Sequence, residues 1–410
     1  MTARKPKRGG AAPADPAEGV PGFRFAGIHC GIKERDPDLA LIASDLSASV
    51  AGVFTRSTVV GAPVEWCRAR VVSGRGRGVV VNSGISNVAM GVRGRRDAEA
   101  MARHAARAVG CEADEIYVAS TGVIGEPLPM AVLRRGIPEA ASQLSGEGML
   151  AAAEAIRTTD TFAKAAARRV RVGGRWVRVA GIAKGSGMIE PDMATMLSFM
   201  TSDAAVAPRA LQGMLRRVAD RSFNRVTIDG EGSTSDSVLV FANGLAGNAV
   251  IRGPASPGAA AFEGALLEVA EDLARMLARD GEGATKLVTV EVSGARSGAE
   301  AERAARRIAN SLLVKTAIFG GDPNWGRILQ TIGAGRVAID LARSEVKLCG
   351  VSVFRKGASA GPAARRRAEV RLADDEITIA VDLARGRSRA RIWTCDLSYD
   401  YVKINAEYTT

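Results

Sequence analysis

The sequence predicts a mixed α/β fold in which strands and helices alternate along the chain, and three observations support that class. Short runs rich in valine, isoleucine and alanine, such as 79–84 and 116–120, are typical of buried strands. Longer stretches with a helical spacing of apolar residues, such as 97–109 and 259–279, are typical of amphipathic helices. The 410 residues are 47% hydrophobic and 24% charged, an ordinary globular composition that allows two or three domains and a large core.

The predicted elements follow from these local patterns, and glycine, proline and polar clusters separate them. In the first half we expect strands at 27–33, 38–42 and 50–55 as an antiparallel meander, a strand at 79–84, a helix at 97–109, a strand at 116–120, helices at 130–142 and 148–156, and a hairpin at 170–183. In the second half we expect a buried strand at 196–200, helices at 208–222 and 259–279, a strand at 287–292, a helix at 299–314, and mostly strands from 348 onwards.

Residues 1–19 are predicted to be a disordered tail. They include basic residues but no apolar segment behind them, which argues against a secretory signal. Asp15, Glu18 and three prolines argue against a transit peptide. The sequence has no apolar run of about 18 residues, so a membrane span is not expected.

The cysteine and histidine content argues against several kinds of site. The five cysteines are scattered and form no CxxC pair, so neither a disulfide framework nor a structural zinc site is expected, and a reducing cytoplasm fits. His29 and His104 are the two histidines of the chain. Neither has a partner nearby in sequence, which argues against a histidine-based triad or a multi-histidine metal site.

The net charge of +12 raises nucleic-acid binding as an alternative function. The basic residues are spread, however, and aromatic residues make up only 4% of the chain. The GRGRG segment at 74–78 is a single copy, and residues 365–367 are three arginines in an expected loop rich in glycine and alanine. Solvated charge is therefore the preferred interpretation, with a basic surface that attracts acidic substrates.

The segment 184–204 carries the strongest chemical signal, and Ala194-Thr195 lies at its centre. A threonine serves as both nucleophile and base only when it begins a chain, because its free α-amino group then takes the hydroxyl proton. The peptide bond before a threonine in mid-chain must therefore be broken first. The sequence is interpreted as a precursor that is cleaved between Ala194 and Thr195. The plain alternative is a glycine-rich turn that leads into a buried strand.

This segment, KGSGMIEPDMATML from Lys184 to Leu197, resembles the maturation site of the ornithine acetyltransferases, the bifunctional family also called glutamate N-acetyltransferases. Further blocks extend the resemblance over residues 20–410. It implies an α/β fold with sheets sandwiched by helices, related to that of the self-cleaving aminopeptidase DmpA. It also implies self-cleavage into an α chain at 20–194 and a β chain at 195–410, assembled as an α2β2 heterotetramer.

The resemblance also assigns site residues. Thr195 is the nucleophile, and Thr121 with Gly122 matches the oxyanion-hole pair. The positions that match substrate contacts of the family are Thr158, Lys184, Thr195, Glu282, Asn405 and Thr410. Taken alone, most of these segments are also typical of ordinary turns, caps or solvated loops. The chain departs from the family pattern at Ile85-Ser86 and at Glu231-Gly232.

The implied reaction moves an acetyl group from N2-acetylornithine to glutamate through an acetyl-threonine, giving ornithine and N-acetylglutamate in arginine biosynthesis. Bifunctional members of the family also use acetyl-CoA, which leaves it open as a second donor. No metal and no tightly bound cofactor are implied, and no nucleic-acid or membrane partner is expected. Two alternatives stay open: an amidohydrolase or aminopeptidase that passes the acyl group to water, and a non-catalytic basic binding protein that is never cleaved.

Overall fold

The computed structural model describes residues 11–190 and 196–407, and in them strands and helices alternate along the chain. The strands are β1 (Ala12–Pro13), β2 (Phe23–Ile28), β3 (Leu39–Phe54), β4 (Arg75–Ile85), β5 (Ile116–Val123), β6 (Lys164–Val172), β7 (Arg175–Lys184), β8 (Leu197–Ser202), β9 (Ser237–Ala242), β10 (Leu287–Ala295), β11 (Glu345–Leu348), β12 (Val351–Arg355), β13 (Ala358–Ser359), β14 (Glu376–Asp382) and β15 (Ser388–Cys395). The α-helices are α1 (Ala62–Arg70), α2 (Gly91–Val109), α3 (Met130–Ser142), α4 (Met149–Ala155), α5 (Pro208–Arg221), α6 (Ala259–Arg279), α7 (Gly298–Ala309), α8 (Leu312–Phe319), α9 (Trp325–Ala334), α10 (Pro362–Arg371) and α11 (Tyr399–Glu407).

These strands form two sheets. The first has nine strands in the order β1-β6-β7-β8-β9-β3-β4-β5, with β2 paired to β3 beside that path. In it the pairs β4–β5 and β8–β9 are parallel. The long strand β3 joins its two halves, because residues 39–44 pair with β2 and residues 49–54 pair with β9. The second sheet has six strands in the order β13-β12-β11-β14-β10-β15.

Helices cover both sheets. α6 packs on β6 and β7, and α5 packs on β3 and on α6, around an apolar cluster that includes Phe262 and Met200. α2 and α3 pack on β2 to β5 around Met101 and Leu133, while α7 and its neighbours pack on the second sheet. Burying one leucine or phenylalanine side chain contributes roughly 1.5–3 kcal/mol, so the eleven buried residues of α6 stabilise its packing on β6 and β7. The predicted α/β class with sheets sandwiched by helices is confirmed.

The prediction for the N-terminal region needs three corrections. Residues 11–19 are not disordered, because Ala12 pairs with β6 and Asp15 caps a short 3-10 helix. The predicted strand at 27–33 ends at Ile28 instead. The chain then turns around the buried carboxylate of Asp38, which accepts backbone hydrogen bonds that include those from the N–H groups of residues 30 and 32, at 2.7 and 2.6 Å. The next two predicted strands are parts of the single strand β3.

The prediction for the C-terminal half needs further corrections. The helix predicted at 299–314 is two helices, because Ser311 starts α8 by accepting a hydrogen bond from the N–H of Val314 at 3.3 Å. The three arginines at 365–367 lie in α10 rather than in a loop, and Pro362 suits its first turn. Helices α1, α9 and α11 were not predicted. None of the residues of α11 is buried, so it lacks the apolar periodicity that would reveal it.

No helix in the described part of the chain combines the length and the apolar character that crossing a membrane requires.

Candidate active site

A cavity of about 250 Å³ lies where β5 and β7 end and where β8 and β9 begin. Six of the predicted site residues line it: Thr121, Gly122, Thr158, Lys184, Glu282 and Asn405. They come from separate segments of the sequence, so only the tertiary fold brings them together. Ala194, Thr195 and Thr410 lie outside the described residues, although Met196, which follows Thr195 in the chain, also lines the cavity.

Lys184 connects two of the predicted groups. Its Nζ atom donates hydrogen bonds to Thr121 Oγ1 at 3.2 Å and to Thr158 Oγ1 at 2.8 Å. Burial lowers the pKa of Lys184, whereas the carboxylate of Asp160 acts to raise it. A buried ammonium group in this position favours the binding of a negative charge in the cavity.

Gly122 must be a glycine because two strands approach each other closely at this point. Its φ is +125°, and a Cβ atom there would lie 2.2 Å from the carbonyl carbon of Gly84 on β4. No side chain fits in that space. The neighbouring Thr121 keeps a hydroxyl at the cavity wall, so a hydroxyl and a backbone N–H lie side by side in sequence at the end of β5. An oxyanion hole requires donors of these two kinds, and the assignment of Thr121 and Gly122 to one stays a prediction.

A buried ion-pair triad holds two of the site loops. Lys164, which is 0% exposed, donates to Asp160 at 2.6 Å and to Asp280 at 2.5 Å. Asp160 also accepts hydrogen bonds from the backbone N–H groups of Thr158 at 3.0 Å and Gly185 at 2.6 Å. Burial alone raises the pKa of Asp160, but the charges of Lys164 and Lys184 outweigh it and hold this pKa well below its usual value. The triad therefore fixes the loop of Thr158 against the end of β7.

The C-terminal helix α11 closes another side of the cavity. Asn405 Nδ2 donates to Glu282 Oε2 at 2.8 Å, and the backbone N–H of Glu282 donates to the carbonyl oxygen of Ser186 at 2.8 Å. Asp229 accepts hydrogen bonds from the N–H groups of Met188 and residue 189, at 2.6 and 2.9 Å. The carboxylate of Glu282 and the ammonium group of Lys184 line the same cavity. The site therefore presents both signs of charge, as an amino-acid substrate requires.

Sequence reasoning missed several residues that shape this cavity. Asp160, Lys164 and Asp280 form the triad, while Asp229 and Asp236 line the cavity. For the four aspartates the available signal was a carboxylate in a loop rich in threonine, serine or glycine, which is also typical of an ordinary turn, and Lys164 at the start of β6 had no signal. Three of the four departures from the family pattern, Ser86, Glu231 and Gly232, line the cavity as well.

Among residues 11–190 and 196–407, no group of three or more histidine, cysteine, aspartate or glutamate side chains is arranged to hold a metal ion. The expectation of a metal-free reaction therefore stays a prediction.

Comparison with known proteins gives similar sequences over nearly the whole chain. The profile of the ArgJ family matches residues 24–410. The arginine biosynthesis bifunctional protein ArgJ of Geobacter sulfurreducens is 48% identical, covering 95% of this chain and 100% of the relative. The protein of the same name from Bacillus subtilis is 44% identical, covering 95% of both chains. A crystal structure of ArgJ from Bacillus halodurans is 43% identical with a TM-score of 0.50, and it covers 52% of this chain and 100% of that one.

Proposed function

The chain belongs to the ArgJ family, and on that premise we propose that it is an acetyltransferase of arginine biosynthesis that moves an acetyl group from N2-acetylornithine to glutamate. The observation that carries this proposal is the single cavity in which six predicted residues meet beside Met196. Acetyl-CoA is a second donor in this proposal, in agreement with the bifunctional character that the relatives' names state.

The proposed mechanism assigns each group a step. Thr195 Oγ attacks the acetyl carbonyl, and the α-amine of Thr195 takes the proton. The hydroxyl of Thr121 and the N–H of Gly122 stabilise the oxyanion. The α-amine gives that proton to the nitrogen of ornithine as the amide C–N bond breaks, which releases ornithine and leaves the acetyl group on Thr195 Oγ. The amine of glutamate then attacks this ester, and its proton passes through the α-amine to Oγ as the C–O bond breaks, which releases N-acetylglutamate. Lys184 binds the substrate carboxylate, and Glu282 holds the positively charged end of ornithine.

This chemistry requires a free amine, so we place a cleavage between Ala194 and Thr195, with an α chain before it and a β chain from 195 to 410. The length of a related solved chain agrees with a mature chain of about half this length. The solved chain from Bacillus halodurans is matched over its full length but covers 52% of this chain. Residues 195–410 make up a similar share, slightly more than half of the sequence.

The proposal is tested by incubating the purified protein with N2-acetylornithine and glutamate, with and without acetyl-CoA. With N2-acetylornithine as donor, we expect ornithine and N-acetylglutamate to form in equal amounts. With glutamate and acetyl-CoA as the only donor, we expect N-acetylglutamate to form as well. Release of acetate without transfer to glutamate would instead identify a hydrolase. A chain that stays at full length and transfers nothing would identify the non-catalytic alternative.

Glu282→Gln is expected to raise KM for N2-acetylornithine by roughly 10- to 100-fold, because a charge-assisted hydrogen bond contributes about 1.5–3 kcal/mol. The turnover number should fall less, since the carboxylate binds the part of the substrate that does not react. Steady-state kinetics measure both values. Glu407→Gln, an exposed carboxylate on the same helix as Asn405, is the matched control and should behave like the unchanged enzyme. An unchanged KM in Glu282→Gln would remove this residue from the substrate site.

We further propose that the two fragments assemble as α2β2 in the cytoplasm. Exposed apolar side chains support self-association, since Tyr399 is 84% and Val402 is 66% exposed on α11, and Leu312 is 66% exposed on the neighbouring α8. The five cysteines are free thiols, as a reducing compartment favours. Light scattering is expected to give a mass near twice that of one full-length chain. A mass equal to one chain would contradict this assembly.

A further inference from the structure

One lysine that the proposed mechanism does not use holds the backbone directly before Thr158. Lys33 is half-buried in the turn between β2 and β3. Its Nζ atom donates hydrogen bonds to the carbonyl oxygens of Pro37 at 2.9 Å and of Arg157 at 2.7 Å. Lys33 is not among the described residues that line the cavity, so any effect that it has on a bound substrate passes through another residue.

The turn that carries Lys33 is itself firmly held. The buried carboxylate of Asp38 accepts hydrogen bonds from the backbone N–H groups of residues 30–33, the last of them at 2.9 Å. The turn also packs on β4, because a Cβ atom on Gly84 would lie 3.4 Å from Cγ of Lys33. Gly84 is the residue that Gly122 approaches closely. The side chain of Lys33 therefore extends from a fixed base beside the end of β5.

Both polar atoms of the peptide group between Arg157 and Thr158 are held. Its carbonyl oxygen accepts the hydrogen bond from Lys33, and its N–H, which belongs to Thr158, donates to Asp160 Oδ2 at 3.0 Å. A peptide group is planar, so two bonds at its opposite edges fix the orientation of the plane and the position of the Thr158 Cα atom. The hydroxyl of Thr158 in turn accepts a hydrogen bond from Lys184 at 2.8 Å. One peptide group therefore connects Lys33 to the cavity.

The charges around Lys33 suit an anchor of this kind. Burial lowers the pKa of Lys33, whereas the carboxylates of Asp36 and Asp38 in its own turn act to raise it and favour the charged form. A hydrogen bond from a charged donor is stronger than one between neutral groups. Replacing Lys33 with a neutral side chain should therefore loosen the peptide group while the charged groups that line the cavity stay in place.

We propose that Lys33 is a positioning residue for substrate binding, which acts through the peptide group before Thr158. This inference rests on the proposed function, in which Thr158 is a predicted substrate contact. A contact residue binds well only when its own position is fixed by supporting interactions. Asp160 supplies one of these from the side of the buried triad, and Lys33 supplies the other from the turn between β2 and β3.

The test is a double-mutant cycle in which N2-acetylornithine is varied at saturating glutamate. Lys33→Met removes the ammonium group and is expected to raise KM by roughly 10-fold while the turnover number stays within about threefold, as loss of substrate binding alone requires. Thr158→Ala removes the hydroxyl group through which Lys33 acts. In the Thr158→Ala background, Lys33→Met should change KM by less than about twofold, because residues that act through one another are not additive.

Lys286→Met is the matched control. Lys286 is also half-buried, its Nζ atom also donates to two backbone carbonyl oxygens, those of Leu372 at 2.8 Å and Asp374 at 3.4 Å, and it is not among the described residues that line the cavity. This variant should lower the melting temperature about as much as Lys33→Met does, but with an unchanged KM. An equal rise of KM in both variants would mean that loss of stability alone weakens binding, which would overturn the proposal.

A second variant keeps the test decisive if Lys33→Met fails to fold. Lys33→Gln retains an N–H donor without the charge, and it should raise KM by about threefold in the same cycle. An unchanged KM in the folded variant would overturn the assignment, as would effects of the two substitutions that multiply in the double variant. If the unchanged protein transfers no acetyl group at all, the proposed function fails instead, so the two failures are distinguishable.

Discussion

Thr195→Ala is expected to leave the protein as one full-length chain without measurable acetyl transfer. The variant lacks the hydroxyl that attacks both the Ala194 carbonyl and the acetyl group, and it exposes no new α-amine. Removal of a catalytic nucleophile lowers turnover on the order of 10⁶-fold in well-studied hydrolases. A gel and a coupled assay for ornithine release measure the two effects.

Two further variants make this result specific. Thr195→Ser retains a hydroxyl and is expected to keep part of both activities. Thr201→Ala removes another buried threonine of β8, 1% exposed, and should be cleaved and active like the unchanged protein. Cleavage or substantial transfer in Thr195→Ala would show that another residue is the nucleophile.

Lys164→Met is expected to give the largest loss of stability among single substitutions around the site. Lys164 and its partner Asp160 are both 0% exposed, and Asp280 is 2% exposed at its side chain. Removing one partner of a buried ion pair leaves an uncompensated charge, which costs about 3–5 kcal/mol of the free energy of unfolding. Transfer activity should fall as well, because the loop of Thr158 loses its anchor. Lys347→Met is the control, since its pair with Glu345 is partly exposed and is worth at most about 1 kcal/mol.

The buried triad of Lys164, Asp160 and Asp280 also determines how the free energy of unfolding changes with pH. The folded-state pKa of Asp160 lies below its unfolded value, so its contribution to stability is present above pH ~4 and is lost as the pH falls through the folded-state pKa. The free energy of unfolding should therefore decrease steeply on acidification below about pH 4 in the unchanged protein. Lys164→Met removes the charge that holds this pKa down, so its slope should be smaller. Equal slopes in the two proteins would contradict the role given to Lys164.

Local sequence patterns predicted some elements to the residue and failed at others for a physical reason. The helices Met130–Ser142 and Ala259–Arg279 were predicted with their observed bounds, because their apolar faces repeat with helical spacing. The turn around Asp38 was missed, since it depends on a buried carboxylate that accepts backbone hydrogen bonds. A single buried acceptor produces no periodic pattern of apolar residues in the sequence.

The cavity was predictable only in part. Matches to family motifs supplied Thr121, Lys184 and Glu282, which no periodicity or spacing distinguishes from turn residues. The triad could not be predicted, because Lys164 and Asp280 are separated by 116 positions and meet only in the folded chain. Asp236 was visible as one polar residue in a loop, but its burial and its place in the register emerge from the pairing of β8 with β9.

The acetyl-threonine at the start of a cleaved β chain is the central claim, and intact-mass spectrometry after incubation with N2-acetylornithine alone tests it most directly. The proposed mechanism predicts two fragments, of which the one that begins Thr-Met-Leu-Ser carries a single acetyl group. Peptide mapping should place that group on Thr195 Oγ, where hydroxylamine removes it, and added glutamate should discharge it as N-acetylglutamate. An active protein that remains one chain, or cleaved fragments that transfer acetyl groups without ever carrying one, would contradict it.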